Sequence, residues 1–84
     1  MSEVLYFSAK WCGPCIVVGK SVEKIDAQFE DVTVKKVDID VESELAQEYG
    51  VRSIPTLVHL KDGHEVARVV GARTKEDLIN ELGL

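Results

Sequence analysis

A five-residue motif contains both cysteines of this 84-residue chain and lies where a strand-like segment gives way to a helix-like one. The motif reads Trp11-Cys12-Gly13-Pro14-Cys15. Gly13 permits a tight turn beside the first sulfur, and Pro14 has a φ angle preset for the start of a helix. Two thiols separated by two residues on a first helical turn can close a small disulfide, which another thiolate can reopen. The motif therefore predicts a strand that leads into a helix, with a redox-active pair at the junction.

The hydrophobic pattern on both sides of the motif predicts an α/β domain over residues 1–84. An apolar run at 4–7 is typical of a strand buried on both faces, and apolar side chains at helical spacing over 13–29 predict an amphipathic helix. Residues 32–39 predict a second strand and 42–49 a short helix. Strands at 56–60 and 65–70 flank Asp62-Gly63, a dipeptide typical of a tight hairpin, and Thr74 is a predicted N-cap of a last helix. The predicted order is β-α-β-α-β-β-α.

Three segments, in this order along the chain, resemble the thioredoxin family. They are the cysteine motif, Ser53-Ile54-Pro55-Thr56 and Val70-Gly71-Ala72. The resemblance runs over residues 4–82 and implies a minimal thioredoxin fold, with a four-stranded mixed sheet flanked by three helices. It also implies a dithiol oxidoreductase that reduces protein disulfides and takes part in electron transport and cell redox homeostasis.

The two cysteines have different expected roles. Cys12 precedes the helix, where unpaired backbone N–H groups favour a thiolate, so we expect Cys12 to be the nucleophile and Cys15 the resolving thiol. The resemblance implies that Asp40 holds the tryptophan of the motif and that the Ile54-Pro55 bond is cis. It places substrate binding at Trp11, Gly13, Pro14, Ile54, Pro55, Gly71 and Ala72.

One position departs from the family pattern. Longer thioredoxins have a buried Asp six residues before the nucleophile, whereas this chain has Tyr6, which is a poor base near neutral pH. Lys36 matches the lysine that accompanies that Asp, so the resemblance implies a catalytic role for it. Its alternation with Val32 and Val34 predicts a side chain partly buried on an apolar face. We therefore expect Cys15 to be activated through water or Lys36, and the substitution Tyr6→Asp to alter the resolving step.

Charge and cysteine content argue against several classes of protein. The net charge of -5 repels the phosphates of nucleic acids. Two cysteines are too few to staple a small secreted domain, so the disulfide is expected to be catalytic. No apolar stretch approaches the ~18 residues that a membrane span needs, and the first residues do not resemble a secretory signal. We expect a cytoplasmic monomer with no membrane association.

The chain is expected to bind no cofactor and no metal, so that its redox group is the Cys12–Cys15 disulfide. Its glycines never follow the spacing of a dinucleotide-binding loop. A zinc site built from the cysteines with His59 and His64 is disfavoured, because residues 16–58 are far longer than the spacer of roughly 12–15 residues in compact zinc modules. The expected partners are disulfide-containing proteins and, from the resemblance, an NADPH-dependent flavoprotein reductase.

Two other functions stay open on the sequence alone. The first is a glutaredoxin-like thiol transferase that uses glutathione, and turnover of a glutathione mixed disulfide would identify it. The second is a module that binds a partner protein through the Ile54-Pro55 surface, with incidental redox chemistry. Unchanged partner binding by a variant carrying Cys12→Ser and Cys15→Ser would favour that second function.

Overall fold

The computed structural model describes all 84 residues and contains four strands and three helices in the predicted order. They are β1 (Ser2–Ser8), α1 (Gly13–Gln28), β2 (Val32–Asp38), α2 (Ser43–Glu48), β3 (Thr56–Lys61), β4 (His64–Val70) and α3 (Lys75–Leu82). The element boundaries agree with the sequence prediction to within two residues. No helix combines the length and the apolar character that crossing a membrane requires.

The four strands form one mixed sheet in the order β2-β1-β3-β4. Strand β1 pairs in parallel with β2 and antiparallel with β3, and β3 pairs antiparallel with β4. The parallel pair requires a crossover, and α1 provides it. Because the central strands β1 and β3 pair antiparallel, the carboxyl end of β1 and the amino end of β3 lie side by side at one end of the sheet.

Strand β1 is buried on both faces, as its continuous apolar run predicted. Alternate residues point to opposite sides of the sheet. Val4 and Tyr6 belong to a core cluster with α1 and α3, whereas Leu5 and Phe7 belong to a second cluster with α2. The sheet is therefore covered by helices on both faces, and both cores meet on this one strand.

Turns and caps form where the sequence predicted them. Asp62 and Gly63 have φ angles of 52° and 83°, as a tight hairpin with the right-handed twist of its strands requires. Gly50 ends α2 with a φ of 63°. The Thr74 hydroxyl accepts a hydrogen bond from the Asp77 N–H at 3.2 Å and so caps α3. Local sequence signals thus determine where these elements end.

One buried polar side chain connects α3 to the sheet. His59 on β3 is buried, and its Nδ1 atom lies 2.7 Å from the Leu82 carbonyl oxygen at the end of α3. A carbonyl oxygen can only accept, so Nδ1 carries the proton in this contact. The Nε2 atom is buried without a partner. His59 thus packs in the sheet, and His64 is exposed at the hairpin.

The packing of α3 gives a direct test of the core. Leu78 is fully buried in the cluster shared by α1, α3 and the sheet. Leu78→Ala is expected to lower the free energy of unfolding by about 2–5 kcal/mol, because it removes buried apolar surface and leaves a cavity. Urea denaturation followed by circular dichroism measures this loss. Val41→Ala, at an exposed position, is the control and should change stability by less than about 0.5 kcal/mol.

Candidate active site

The junction between β1 and α1 places Cys12 at the start of a helix. After β1 ends, the Cys12 N–H donates to the Ala9 carbonyl oxygen at 3.2 Å and closes a short turn. Cys12 is then the N-cap of α1, with extended φ and ψ angles of -89° and 106°, and Pro14 lies in the first turn. Since that turn leaves backbone N–H groups without intrahelical partners, negative charge is favoured at the Cys12 sulfur.

The two cysteines form a disulfide with Cα atoms 5.3 Å apart. The Cys15 N–H points to the Cys12 Sγ atom at 3.3 Å, so the sulfur occupies the position of an N-cap acceptor. Both residues are buried in a small cluster with Ala9. A backbone N–H aimed at the first sulfur stabilises its thiolate over its thiol in the reduced protein.

A second segment packs against the disulfide from the start of β3. The Ile54-Pro55 peptide bond is cis, as the resemblance implied. Ile54 is half-buried against the cluster that contains both cysteines. The Pro55 carbonyl oxygen accepts a hydrogen bond from the Gly71 N–H at 2.9 Å, and Gly71 adopts a φ of 98° that favours glycine. The segment containing Gly71 and Ala72 is thereby joined to the proline.

Trp11 lies beside the disulfide as an exposed aromatic surface. Its side chain is 69% exposed, and its indole Nε1–H donates to the Asp40 carboxylate at 2.8 Å. The backbone N–H of Asp40 in turn donates to Asp38 at 2.9 Å, which fixes the loop after β2. An exposed ring held at one end gives a fixed apolar contact for another molecule.

The predicted partial burial of Lys36 is wrong. Lys36 does lie on the α1 side of β2, opposite Tyr6 in the sheet register, as its alternation with Val34 predicted. However, its side chain is 57% exposed, and its ammonium donates to the Glu23 carboxylate at 3.0 Å. Strand β2 is an edge strand, so a long side chain on it reaches solvent even when it points toward the helix side.

Tyr6 makes the contact that the sequence did not reveal. Its ring is buried, and its O–H donates to the Cys15 carbonyl oxygen at 2.5 Å. Burial raises the pKa of Tyr6 above its ordinary value of 10.0, because the phenolate would be poorly solvated there. Tyr6 is therefore protonated near neutral pH and holds the first turn of α1 against β1.

An open cleft of about 430 Å³ runs along this side of the site, between α1 and the ends of β1 and β2. Cys15, Gly19 and Glu23 lie at four-residue spacing along its helical wall, and Tyr6 and Lys36 line its sheet side. A side chain at Gly19 would reach ordinary contact with the Tyr6 hydroxyl, 3.6 Å from it. The absence of that side chain leaves a gap between Cys15 and Glu23.

The structure brings most of the predicted site residues to one end of the sheet. The cysteines and Ile54 share one cluster, Pro55 and Gly71 are joined by a backbone hydrogen bond, and Trp11 flanks them. Lys36 stands apart and shares only the lateral cleft with Cys15. Sequence reasoning missed Glu23, although the four-residue spacing of Cys15, Gly19 and Glu23 along one helix was a usable signal.

Comparison with known proteins gives a consistent result across the chain. The family model described as Thioredoxin matches residues 2–83. A thioredoxin of Chlamydia pneumoniae is 50% identical over 74 residues, which cover 88% of this chain and 72% of that protein. Thioredoxin 1 of Synechococcus elongatus is 49% identical over 77 residues, which cover 90% of this chain and 72% of that protein.

Solved structures agree with these matches. Thioredoxin of Fasciola hepatica superimposes with a TM-score of 0.90 at 38% identity, covering 98% of this chain and 78% of that chain. A mutant thioredoxin of Halobacterium salinarum gives a TM-score of 0.87 at 38% identity, covering 99% of this chain and 76% of that chain. The similarity therefore extends through all the strands and helices around the disulfide.

The contact between Trp11 and Asp40 generates a prediction about the rigidity of the site. Asp40→Ala removes the only acceptor of the indole N–H and should free the ring, so that the fluorescence anisotropy of this single tryptophan falls. Asp40→Asn is the matched control, because its amide oxygen can still accept the hydrogen bond and should preserve most of the anisotropy. Equal anisotropy in all three proteins would show that the hydrogen bond does not hold the ring.

Proposed function

This chain belongs to the thioredoxin family and is a thiol–disulfide oxidoreductase of disulfide-containing proteins, and on that basis we propose a role for each thiol. Cys12 is the nucleophile, and Cys15 is the resolving thiol. The observation that carries this assignment is the Cys15 N–H aimed at the Cys12 sulfur at the N-terminus of a 16-residue helix. Only the first sulfur receives both this donor and the positive end of the helix dipole.

The proposed cycle consists of two thiol–disulfide exchanges. The Cys12 thiolate attacks one sulfur of a substrate disulfide, which forms a mixed disulfide and releases the other substrate sulfur as a thiolate. The Cys15 sulfur, after losing its proton, then attacks Cys12 in the mixed disulfide. The Cys12–Cys15 bond forms, the bond to the substrate breaks, and the substrate leaves fully reduced. The structure, with its Cys12–Cys15 disulfide, corresponds to this oxidised state.

A new round needs two electrons from an outside donor. We propose that an NADPH-dependent flavoprotein reductase supplies them by thiol–disulfide exchange at the same disulfide, and that this chain binds no cofactor of its own. The reaction uses sulfur chemistry alone, and the thiols are the redox group. Family membership and the placement of the cysteines beside an exposed aromatic surface support this proposal.

We propose that substrates bind across the end of the sheet. The backbone N–H and carbonyl of Ile54 have no backbone partner, so an extended substrate segment can pair with them like an added strand. The surface around this backbone is formed by Trp11, Gly13, Pro14, Ile54, Pro55, Gly71 and Ala72. Its exposed residues are the aromatic Trp11 and the smaller Gly13, Pro14 and Ala72, none of them charged, so many different substrate segments can approach the disulfide.

We propose that residues 1–84 act as one domain and as a monomer in the cytoplasm, where glutathione and thioredoxin systems keep thiols reduced. No observation favours the glutathione-linked transferase or the redox-independent binding module over a protein-disulfide reductase. The central reaction of the proposal is therefore the transfer of two electrons from a reductase to a protein disulfide.

The two cysteine variants test the proposed roles. Cys15→Ser should retain attack by Cys12 and accumulate a mixed disulfide with a model substrate, because the resolving step is lost. Cys12→Ser should neither form that adduct nor reduce insulin disulfides. Mass spectrometry of the quenched reaction measures the adduct. If the Cys12→Ser variant formed the mixed disulfide through Cys15 as fast as the Cys15→Ser variant forms it through Cys12, the assignment of roles would be contradicted.

We also propose that Lys36 favours the Cys15 thiolate by its charge across the shared cleft. Because Lys36 is exposed and paired with Glu23, its effect should be small: Lys36→Gln should slow the resolving step about two- to threefold. The second phase of the reaction with Ellman's reagent measures this step. The difference in resolving rate between the parent protein and the Lys36→Gln variant should become smaller at high salt, where exposed charges are screened.

Lys35→Gln is the matched control for that prediction. Lys35 is the next residue on the same strand, points to the other face and lies 3.6 Å from the Glu42 carboxylate. The substitution changes the net charge by the same amount without touching the cleft. Equal slowing by both variants would attribute the effect to net charge and exclude a specific role for Lys36.

A further inference from the structure

The resolving step requires the Cys15 thiol to lose its proton, and the surroundings of Cys15 determine where that proton goes. No carboxylate of the chain is buried: the buried polar side chains are Thr56 and His59. His59 is hydrogen-bonded to Leu82 near the other end of the sheet. The interior therefore holds no carboxylate base for Cys15.

Tyr6 is the buried ionisable side chain that contacts Cys15, but it does not act as a base for the Cys15 thiol. Its O–H donates to the Cys15 carbonyl oxygen, so its proton is already committed to that contact. Burial raises its pKa further above neutrality, because a phenolate would be poorly solvated. Tyr6 thus fixes the backbone of Cys15 without accepting a proton from its thiol.

The lateral cleft gives Cys15 an alternative route. The cleft opens to solvent and is lined by Cys15 and by Gly19, which has no side chain to close it. The other ionisable side chains that line it are Tyr6, Lys10, Lys20, Glu23, Lys36 and Asp38. The cleft, of about 430 Å³, is large enough to admit water and small solutes to the wall that contains Cys15, although the Cys15 residue is itself only 4% exposed.

The two carboxylates in the cleft are both engaged. Glu23 accepts a hydrogen bond from the Lys36 ammonium at 3.0 Å, and Asp38 accepts one from the Asp40 backbone N–H at 2.9 Å. Both carboxylates are therefore held by partners other than Cys15.

We propose that the proton of Cys15 passes through this cleft directly to bases in the solvent, with no protein side chain as its acceptor. This inference rests on the proposed role of Cys15 as the resolving thiol. Transfer of the proton from the buried thiol to a solvent base limits the rate of the resolving step, and the Cys15 sulfur then attacks the Cys12 sulfur of the mixed disulfide. The Cys12–Cys15 bond forms as the substrate sulfur leaves with its electron pair.

The experiment measures how the resolving step depends on a small added base. Reduced protein is mixed with Ellman's reagent in a stopped-flow instrument, where attack by Cys12 and resolution by Cys15 each release one coloured thiolate. At constant pH and ionic strength, increasing imidazole should raise the second rate linearly, by about threefold or more. The first rate should not change, because Cys12 attacks as a preformed thiolate.

Three variants test the candidate proton acceptors in the cleft, and a fourth is their control. Glu23→Gln, Asp38→Asn and Tyr6→Phe should each retain the imidazole dependence, with a second rate within about threefold of the parent protein. Asp26→Asn is the matched control, an exposed carboxylate on α1 outside the cleft.

A fifth variant adds the missing base. Tyr6→Asp places a carboxylate beside Cys15 and should accelerate the second phase while reducing its response to imidazole. If the Tyr6→Asp variant does not fold, the dependence of the second rate on imidazole in the parent protein still tests the proposal.

Each outcome has a distinct meaning. A second rate that does not depend on imidazole overturns the proposal. If one of the variants Glu23→Gln, Asp38→Asn and Tyr6→Phe lowers the second rate tenfold or more, and imidazole restores it, that side chain is the base and the proposal is overturned. Absence of any second phase in the parent protein contradicts the role of Cys15 itself, which is a failure of the proposed function and is read from the amplitude of the signal.

Discussion

Burial of β1 on both faces is the constraint on which the rest of this structure depends. The strand is paired along both edges, and its alternate side chains enter two separate cores. Its position is therefore fixed in every direction. Because Cys12 follows β1 by only a short turn, the same packing that stabilises the fold also places the N-terminus of α1 and its sulfur.

The sequence predicted the architecture well because the decisive signals were local. Residues 4–7 formed an apolar run that is typical of a doubly buried strand, and Asp62-Gly63 and Thr74 marked a turn and a cap that the structure contains. The cysteine motif predicted its own disulfide and its place at a helix start. Each of these inferences needed information from a few neighbouring residues.

The parts that could not be predicted depend on distances between elements. The alternation of Lys36 with Val34 correctly gave the face of the strand, but it carried no information on depth, and an edge strand leaves that side chain in solvent. The hydrogen bond from Tyr6 to the Cys15 carbonyl joins residues on two elements whose spacing is set by the whole core. A sequence pattern reports the periodicity along one helix or strand. Predicting a contact between two elements also requires the distance and angle at which they pack.

The backbone hydrogen bond between Gly71 and Pro55 has a consequence for how this surface can diversify. It joins the two loops that border the disulfide through main-chain atoms alone, so the width of the opening does not depend on which side chains those loops carry. Residues of other size and polarity can therefore replace Ile54 and Ala72 without altering the spacing between the loops. The geometry needed for sulfur exchange and the chemistry that selects a partner are encoded in different atoms, and selection can act on one without disturbing the other.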